Sequence, residues 1–183
     1  MVIGYLLGGN DNDSYIFDTN DKSLPICHQC GYVTNFDYMS PSMQLRVKKY
    51  DISSTYDNRT IVSTRFKNYC LDNNYKGMVF RELPRNPGFY LMNINTIIEF
   101  DSDRANLIQY KYCEVCGNYE SITPGIPVVL KDVDSPLADG FYATNIHFAS
   151  GNEKGPLFIV GVATYDKLKS QKFKGMNFMK IEL

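Results

Sequence analysis

The sequence predicts an α+β protein in which short strands outnumber helices, and three observations carry this prediction. Apolar and aromatic residues fall in short runs separated by Gly, Pro, Asn and Asp, which is typical of strands joined by turns. Residues 64–73 and 162–172 have a spacing of apolar residues that is compatible with helices. Two Cys-x-x-Cys-Gly frames lie far apart in the chain, which predicts that two distant segments meet. We therefore expect two helices, or slightly more, among about eight or nine mostly antiparallel strands.

The candidate strands are distributed along the whole chain. An apolar start predicts a first strand, and the Asp- and Asn-rich residues 8–24 predict a loop or a short hairpin around residues 15–17. Further alternating or apolar runs predict the later strands. They are Met1–Leu7, Gln44–Ile52, two strands within Gly88–Phe100, Leu107–Tyr112, Pro127–Leu130 and Phe141–Phe148.

A repeated spacing predicts that the chain is one compact unit made of two related halves. Ile61-Val62 and the run Lys76-Gly77-Met78-x-Phe80 recur 98 positions later as Ile159-Val160 and Lys174-Gly175-Met176-x-Phe178. Each copy predicts a strand end, a helix, a tight turn at glycine and a second strand. The helices would bury Phe66, Tyr69 and Cys70 in the first copy and Val162, Tyr165 and Leu168 in the second. Chance convergence of two αβ units is the alternative.

A proline-containing segment, Leu83–Gly88, predicts a stiff connector between the two halves. Residues 1–183 would then form a single compact unit with possible halves 1–86 and 87–183. The 44% of hydrophobic residues, with 14 Tyr and 11 Phe, is enough for a substantial core.

Charge and hydropathy exclude several classes of protein. The formal net charge of -1 argues against a strongly cationic nucleic-acid binder. The sequence contains no run of about 18 apolar residues, so no membrane-spanning helix is expected. The apolar start lacks the basic region of a secretory signal. We therefore expect a cytoplasmic protein, where paired Cys-x-x-Cys turns favour a metal over disulfides.

The four cysteines of the two frames are the candidate metal ligands. They are Cys27, Cys30, Cys113 and Cys116. Four thiolates complete the tetrahedron of Zn²⁺ and leave no open position for water, so the spacing predicts one structural zinc site rather than a catalytic one. His28 lies within the first frame and could replace a cysteine, but we expect it to be an exposed loop residue. A thiol-redox role would need a Cys-x-x-Cys at a helix N-terminus, and neither frame precedes a clear helix.

Other residues give weaker signals. Cys70 is expected to be a buried apolar residue, and His147 a strand histidine within the fold. Two histidines do not make a Cys-His or Ser-His-Asp constellation, and no glycine-rich stretch has the Lys-Ser/Thr end of a phosphate loop. Acidic residues concentrate in two loops, where the interpretations are a solvated surface or a face for a basic partner. They are Asp11, Asp13, Asp18, Asp21, Asp132, Asp134 and Asp139.

The paired frames resemble the bacterial double-CxxCG-motif family. The C-terminal segments Phe158–Val160 and Phe173–Phe178 are similar to the end of a related toxin-immunity family, and three other segments fit the same pattern. These are Tyr112–Gly117, Pro127–Leu130 and Asp139–Tyr142. The resemblance covers the chain from about Cys27 onward. It implies a small cytoplasmic protein without enzymatic activity that neutralises a cognate polymorphic toxin.

The expected function is therefore that of a zinc-stabilised, non-enzymatic protein-binding module, an immunity protein that occludes its toxin. One alternative is a zinc-ribbon-like nucleic-acid-binding protein, for which Arg46, Lys48, Lys49 and Tyr50 are the compact basic candidate. A Cys-x-x-Cys thiol-redox protein is the other. The sequence leaves the oligomeric state, the toxin and the binding face open.

Overall fold

The computed structural model describes residues 1–183 and contains one large mixed sheet with two α-helices. The prediction of an α+β protein dominated by strands is confirmed. The elements, in chain order, are β1 Val2–Asp11, β2 Ile52–Ser54, β3 Thr60–Ser63, α1 Thr64–Asp72, β4 Met78–Leu83, β5 Asn86–Ile94, β6 Ile97–Ile98, β7 Ile108–Cys113, β8 Asn118–Thr123, β9 Phe141–Ser150, β10 Gly155–Val160, α2 Val162–Ser170 and β11 Met176–Glu182.

The sheet has the strand order β4-β5-β3-β2-β1-β10-β9-β8-β7, with β11 paired to β1 and β6 paired to β9. Most ladders are antiparallel, but β1 pairs with β2 in parallel, and so does β6 with β9. Strand β6 follows β5 after two residues and pairs with β9, so the chain passes there from one part of the sheet to another. Most neighbours in this order are consecutive strands, whereas β1 pairs with β10 and β11 from the other end of the chain.

Several predicted strands need correction. The predicted strand Gln44–Ile52 is wrong, since β2 begins only at Ile52, and residues 127–130 contribute a single bridge from Leu130 to Phe100. The short hairpin around residues 15–17 is also absent. The main-chain amides of Ile16 and Phe17 donate instead to the buried carboxylate of Asp57, at 2.8 to 3.0 Å.

Both helices begin and end close to the predicted positions. The Ser63 side chain caps α1 by accepting a hydrogen bond from the Phe66 amide, which satisfies one of the free donors of the first turn. Helix α1 buries Phe66 and Cys70, and α2 buries Leu168 together with Thr164, whose hydroxyl donates to Asp139 at 2.6 Å. Neither helix is long and apolar enough to cross a membrane.

The two strand–helix–strand units, β3-α1-β4 and β10-α2-β11, are each completed by a strand that runs between their two strands. In the first unit this strand is β5, with Ile61 opposite Leu91 and Met78 opposite Ile94. In the second unit it is β1, with Ile159 opposite Leu6 and Met176 opposite Gly9. The two ladders of the first unit therefore have the same registers as the two ladders of the second unit when β5 is matched to β1.

The segment Leu83–Gly88 is not a connector. Leu83 and Asn86 are paired across a tight turn, so this segment joins β4 and β5 as a hairpin. The boundary between residues 86 and 87 thus falls inside a hairpin, and the first strand of the chain packs with the last two.

The main hydrophobic core lies between the helices and the sheet and includes Phe66, Phe141, Val160, Leu168 and Phe173. A second cluster holds the long loop 12–51 on the other side of β3 and β5, where Ile16, Val33 and Leu45 pack against Ile61 and Leu91. This loop has no strand of its own, yet it is fixed by buried apolar side chains. It carries the first cysteine frame to the second.

Candidate metal centre

Each Cys-x-x-Cys-Gly frame forms the tip of a tight turn between two extended segments. Around the first frame, Ile26 bridges Val33, and around the second, β7 ends at Cys113, which pairs with Asn118 in β8. The glycine amides of Gly31 and Gly117 donate to the carbonyls of Cys27 and Cys113, each at 2.8 Å. Both glycines have a positive φ, 73° and 68°, which favours glycine at this position. Neither frame lies at a helix N-terminus.

The two turns bring the four sulfur atoms into one cluster. Cys27 Sγ lies 3.9 Å from Cys113 Sγ, Cys30 Sγ lies 3.7 Å from Cys116 Sγ, and all four lie within 4.8 Å of one another. A tetrahedron with metal–sulfur bonds of about 2.3 Å has sulfur–sulfur edges of about 3.8 Å. The cluster could therefore hold one metal ion, and the donor set suits a soft or borderline metal.

The sulfur atoms are too far apart for disulfides, whose S–S length is about 2.05 Å, and all five cysteines are free thiols. Cys27 and Cys113 are buried, Cys116 is half-buried and Cys30 is exposed. One side of the cluster is thus closed by protein, and the other is open to solvent.

The electrostatics of the cluster favour a bound cation. Main-chain amides of Cys30 and Gln29 donate to Cys27 and lower the pKa of its thiol. The Tyr32 amide favours the thiolate of Cys30 in the same way, but partial loss of hydration and the three other sulfurs outweigh it and raise the pKa of Cys30 to about 12. Four thiolates this close repel one another. A cation among them removes that cost.

The site lies at the tip of a hairpin that has few other attachments. The β7–β8 hairpin pairs with the remainder of the sheet only through Ser121 opposite Ser150 and Ile122 opposite Ala149. Its tip carries Cys113 and Cys116, whereas Cys27 and Cys30 belong to the loop 12–51. A metal ion bound by all four would clamp the hairpin to that loop.

The surroundings of the cluster include residues that the sequence did not indicate. A cavity of about 380 Å³ opens beside Cys30 and Cys113 and is lined by Tyr32 and Tyr119, among others. Lys154 is only 2% exposed, and its ammonium group donates to the Tyr119 carbonyl. Residues 151–156 have the composition of a polar turn, so the burial of Lys154 could not be predicted from the sequence.

The remaining candidate residues lie away from the four sulfurs or do not join them. His28 is exposed in the first turn and is not among the cluster residues. His147 lies in β9 against the ring of Phe36, and burial, aided by Arg59 and Lys154, lowers its pKa to about 4. Cys70 is fully buried in α1, as predicted. The basic candidates Arg46, Lys48 and Lys49 are all exposed.

A search against protein-family models and a search of curated proteins each found no match for this chain.

Proposed function

We propose that Cys27, Cys30, Cys113 and Cys116 hold one structural Zn²⁺. The support is the donor set of four thiolates with sulfur separations close to tetrahedral edges. Four protein ligands leave no position for a substrate or an activated water, so the metal would supply stability rather than chemistry. It would fix the β7–β8 hairpin against the loop 12–51.

We also infer that the two strand–helix–strand units are related copies. The support is the 98-residue spacing of both helices and their flanking strands, together with the agreement of ladder registers described above. Under this interpretation the copies are residues 52–94 and residues 141–182 completed by β1. The two cysteine frames lie outside both copies.

We propose that the zinc-stabilised hairpin is a protein-binding surface. The observation that carries this proposal is the exposure of Ile108, Tyr110 and Tyr112, which are 66%, 55% and 49% exposed at alternate positions of β7. All five residues from Ile108 to Tyr112 are exposed, so these three large side chains are accessible from solvent. Strand β7 is also the last strand of the sheet, so its outer main-chain groups are free to pair.

The occupant that this surface fits is an extended segment of another protein. Such a segment adds a strand to an exposed edge through main-chain hydrogen bonds, and side-chain contacts supply the selectivity. Tyrosines provide large contact area with a polar tip, as is common at binding surfaces. The acidic loop around Asp13 gives a further face, where the Tyr56 hydroxyl donates to Asp13 and the rings of Tyr15 and Tyr56 pack with 5.1 Å between their centroids.

Within this class, we propose an immunity protein that occludes a cognate bacterial toxin without enzymatic activity of its own. The support is the resemblance of the paired frames and of the C-terminal segments to such proteins. The rival nucleic-acid role would need the basic residues near Arg46 to act together, and the redox role would need accessible, unligated thiols.

The decisive experiment is co-expression with a toxic domain encoded beside this chain, with growth as the readout. We expect the wild-type chain to restore growth and the double variant Tyr110→Ser/Tyr112→Ser to lose most of that protection and at least tenfold in affinity for the purified domain. The physical reason is the loss of two aromatic contacts at an interface centre. Ile97→Ser is the matched control, because Ile97 is 57% exposed on another strand.

Stability and metal content of the double variant are measured alongside, because Tyr112 precedes Cys113 and its ring packs on the Tyr119 ring, with 4.9 Å between the centroids. The single variant Tyr110→Ser keeps that contact and isolates the effect on binding. Protection by the double variant equal to that of the wild type would contradict the assignment of β7. Salt-dependent binding of DNA or RNA, without binding of the toxic domain, would favour the nucleic-acid alternative.

A further inference from the structure

Lys154 is a buried lysine without a carboxylate partner. It is 2% exposed and takes part in none of the four ion pairs of the protein. Its ammonium group donates to the Tyr119 carbonyl and lies 4.5 Å from the centroid of the Tyr32 ring. One carbonyl and one aromatic face solvate a charge far less well than water does. The charge of Lys154 therefore needs another source of stabilisation.

Both residues that hold the ammonium group belong to the two cysteine turns. The Tyr32 carbonyl accepts a hydrogen bond from the Cys27 amide, and Tyr119 follows directly on Asn118, the pairing partner of Cys113. The segment before Lys154 is also tied to the first turn, since Asn152 Oδ1 accepts from the Val33 amide at 2.8 Å. The ammonium group thus lies where the two turns meet.

The anionic groups that act on Lys154 are the thiolates of Cys116 and Cys30. Burial lowers the pKa of Lys154, whereas the charges of Cys116 and Cys30 oppose that effect. The neighbouring cation Arg59 has a different partner. Its guanidinium group packs over the rings of Phe17 and Phe36, and the carboxylate of Asp57 opposes the lowering of its pKa by burial.

A divalent metal ion with four thiolates carries a net charge of −2. Such a centre is stabilised by a nearby cation, and a buried ammonium group is stabilised by a nearby anion. Without the metal ion the site has no fixed dianionic charge, so Lys154 loses the partner that compensates its burial. Metal binding and the charge of Lys154 are therefore coupled.

We infer that Lys154 is the counter-charge of a dianionic tetrathiolate metal centre and acts as a positioning residue for it. This inference rests on the proposed zinc site. It goes beyond that proposal because it assigns a role in metal affinity to a residue that binds no metal. If Lys154 only packed in the core, its removal would destabilise the protein equally with and without zinc. Under this inference the loss of stability appears only with zinc bound.

The test measures zinc affinity by competition with a chromophoric chelator, for the wild type and for Lys154→Met. We expect the variant to bind zinc 10- to 100-fold more weakly, the range typical of lost outer-sphere partners. Lys154→Arg, which keeps the charge, should stay within a few-fold of the wild type. Lys131→Met removes an exposed lysine paired with Glu99 and should have no effect.

Thermal unfolding with and without zinc separates the two roles. Lys154→Met should lower the melting temperature of the zinc-loaded protein but leave the metal-free protein as stable as, or more stable than, the wild type. Should Lys154→Met not fold, Lys154→Gln keeps a hydrogen-bond donor for the Tyr119 carbonyl without the charge, and we expect the same weakened zinc binding.

Two outcomes would overturn the inference alone. One is a wild type that binds zinc with an affinity that Lys154→Met and Lys154→Gln retain. The other is an equal loss of stability with and without zinc, which identifies Lys154 as a packing residue. A wild type that binds no zinc would instead overturn the proposed metal site itself and the inference with it.

Discussion

At the residue scale, the four frame cysteines differ in kind from the fifth. Cys27, Cys30, Cys113 and Cys116 have their sulfurs within 4.8 Å of one another, whereas Cys70 is enclosed by the apolar core. Burial raises the pKa of Cys70 to about 12, which keeps it a neutral thiol. The same amino acid thus belongs to a cluster that could hold a metal ion or to the apolar core, according to the groups around it.

This difference gives a prediction for single cysteine variants. With zinc at a thousandfold excess over its dissociation constant, binding stabilises a folded protein by about 4 kcal/mol, and we expect Cys113→Ser to lose most of that. Elemental analysis and chemical denaturation with and without a chelator would measure it. Cys70→Ala is the control, because it should keep one zinc per chain.

A Cys113→Ser variant that kept full zinc content and stability would show that the second frame is not a ligand pair. A wild type whose denaturation curve is unchanged by chelator, and which is purified without metal, would remove the zinc proposal. Fast alkylation of all four frame thiols in the purified protein would favour the redox alternative.

At the element scale, the turns that leave the two helices are alike. Each contains a residue in the left-handed region, Asn74 or Lys172, followed three positions later by a glycine with positive φ, Gly77 or Gly175. The Gly77 carbonyl then accepts a hydrogen bond from the amide of Asn95, the residue after β5, and the Gly175 carbonyl accepts one from the amide of Asn10 in β1. The sequence pattern Lys-Gly-Met marks this turn because only glycine fits it without strain.

The turn after α2 gives the second prediction. A Cβ atom on Gly175, at φ +82°, would lie 2.5 Å from the Ile52 carbonyl oxygen and 2.7 Å from the Tyr50 ring. Left-handed strain and this overlap together should make Gly175→Ala cost about 2 to 4 kcal/mol of unfolding free energy.

Urea denaturation would measure this loss, and Gly8→Ala is the matched control on the neighbouring strand. A Cβ atom on Gly8 would meet its nearest neighbour, the Asn177 Cβ, at 4.0 Å, so we expect no loss there. Equal stability of Gly175→Ala and the wild type would contradict the described turn geometry.

At the scale of the whole molecule, residues 1 and 183 meet. The Leu183 amide donates to the Met1 carbonyl, and β11 and β1 run antiparallel up to that point. The β4–β5 hairpin occupies the same place in the first unit, where a turn at residues 84–85 joins the two strands. In the first unit, a turn joins β4 to β5, whereas in the second unit the matching strands β11 and β1 are paired but not joined.

This arrangement predicts the behaviour of a circular permutant. A chain joined from Leu183 to Met1 by a short Asn-Gly turn and opened between Pro84 and Arg85 should fold with its zinc affinity within a few-fold of the wild type. Such permutants are tolerated when the ends lie close together and the new break is in an exposed turn. Circular dichroism and chelator competition would measure the outcome.

The control permutant joins the same ends but opens between β10 and α2, at Gly161. Gly161 is enclosed, and its amide donates to the Gly140 carbonyl, so we expect this chain to lose its cooperative unfolding transition. Equal folding of both permutants, or failure of the first alone, would contradict the equivalence of the β4–β5 hairpin and the paired strands β11 and β1.

The sequence by itself determined the features that depend on near neighbours in the chain. The two helices follow from apolar spacing and, in α1, from the Ser63 cap. The two cysteine turns follow from the Cys-x-x-Cys-Gly spacing, and the turn glycines from the need for positive φ. Each of these can be deduced locally because a turn or helix is closed by hydrogen bonds within a few residues.

The tertiary structure alone decided the order of the strands, the two parallel ladders and the place of β1 between β10 and β11. It also decided that Lys154, in a polar turn by sequence, lies buried between Tyr32 and Tyr119. Strand order and burial depend on contacts between residues that are distant in the chain, and the alternation of one strand carries no information about its partner. For that reason the sequence indicated the four clustered sulfurs, whereas the burial of Lys154 could be read only from the fold.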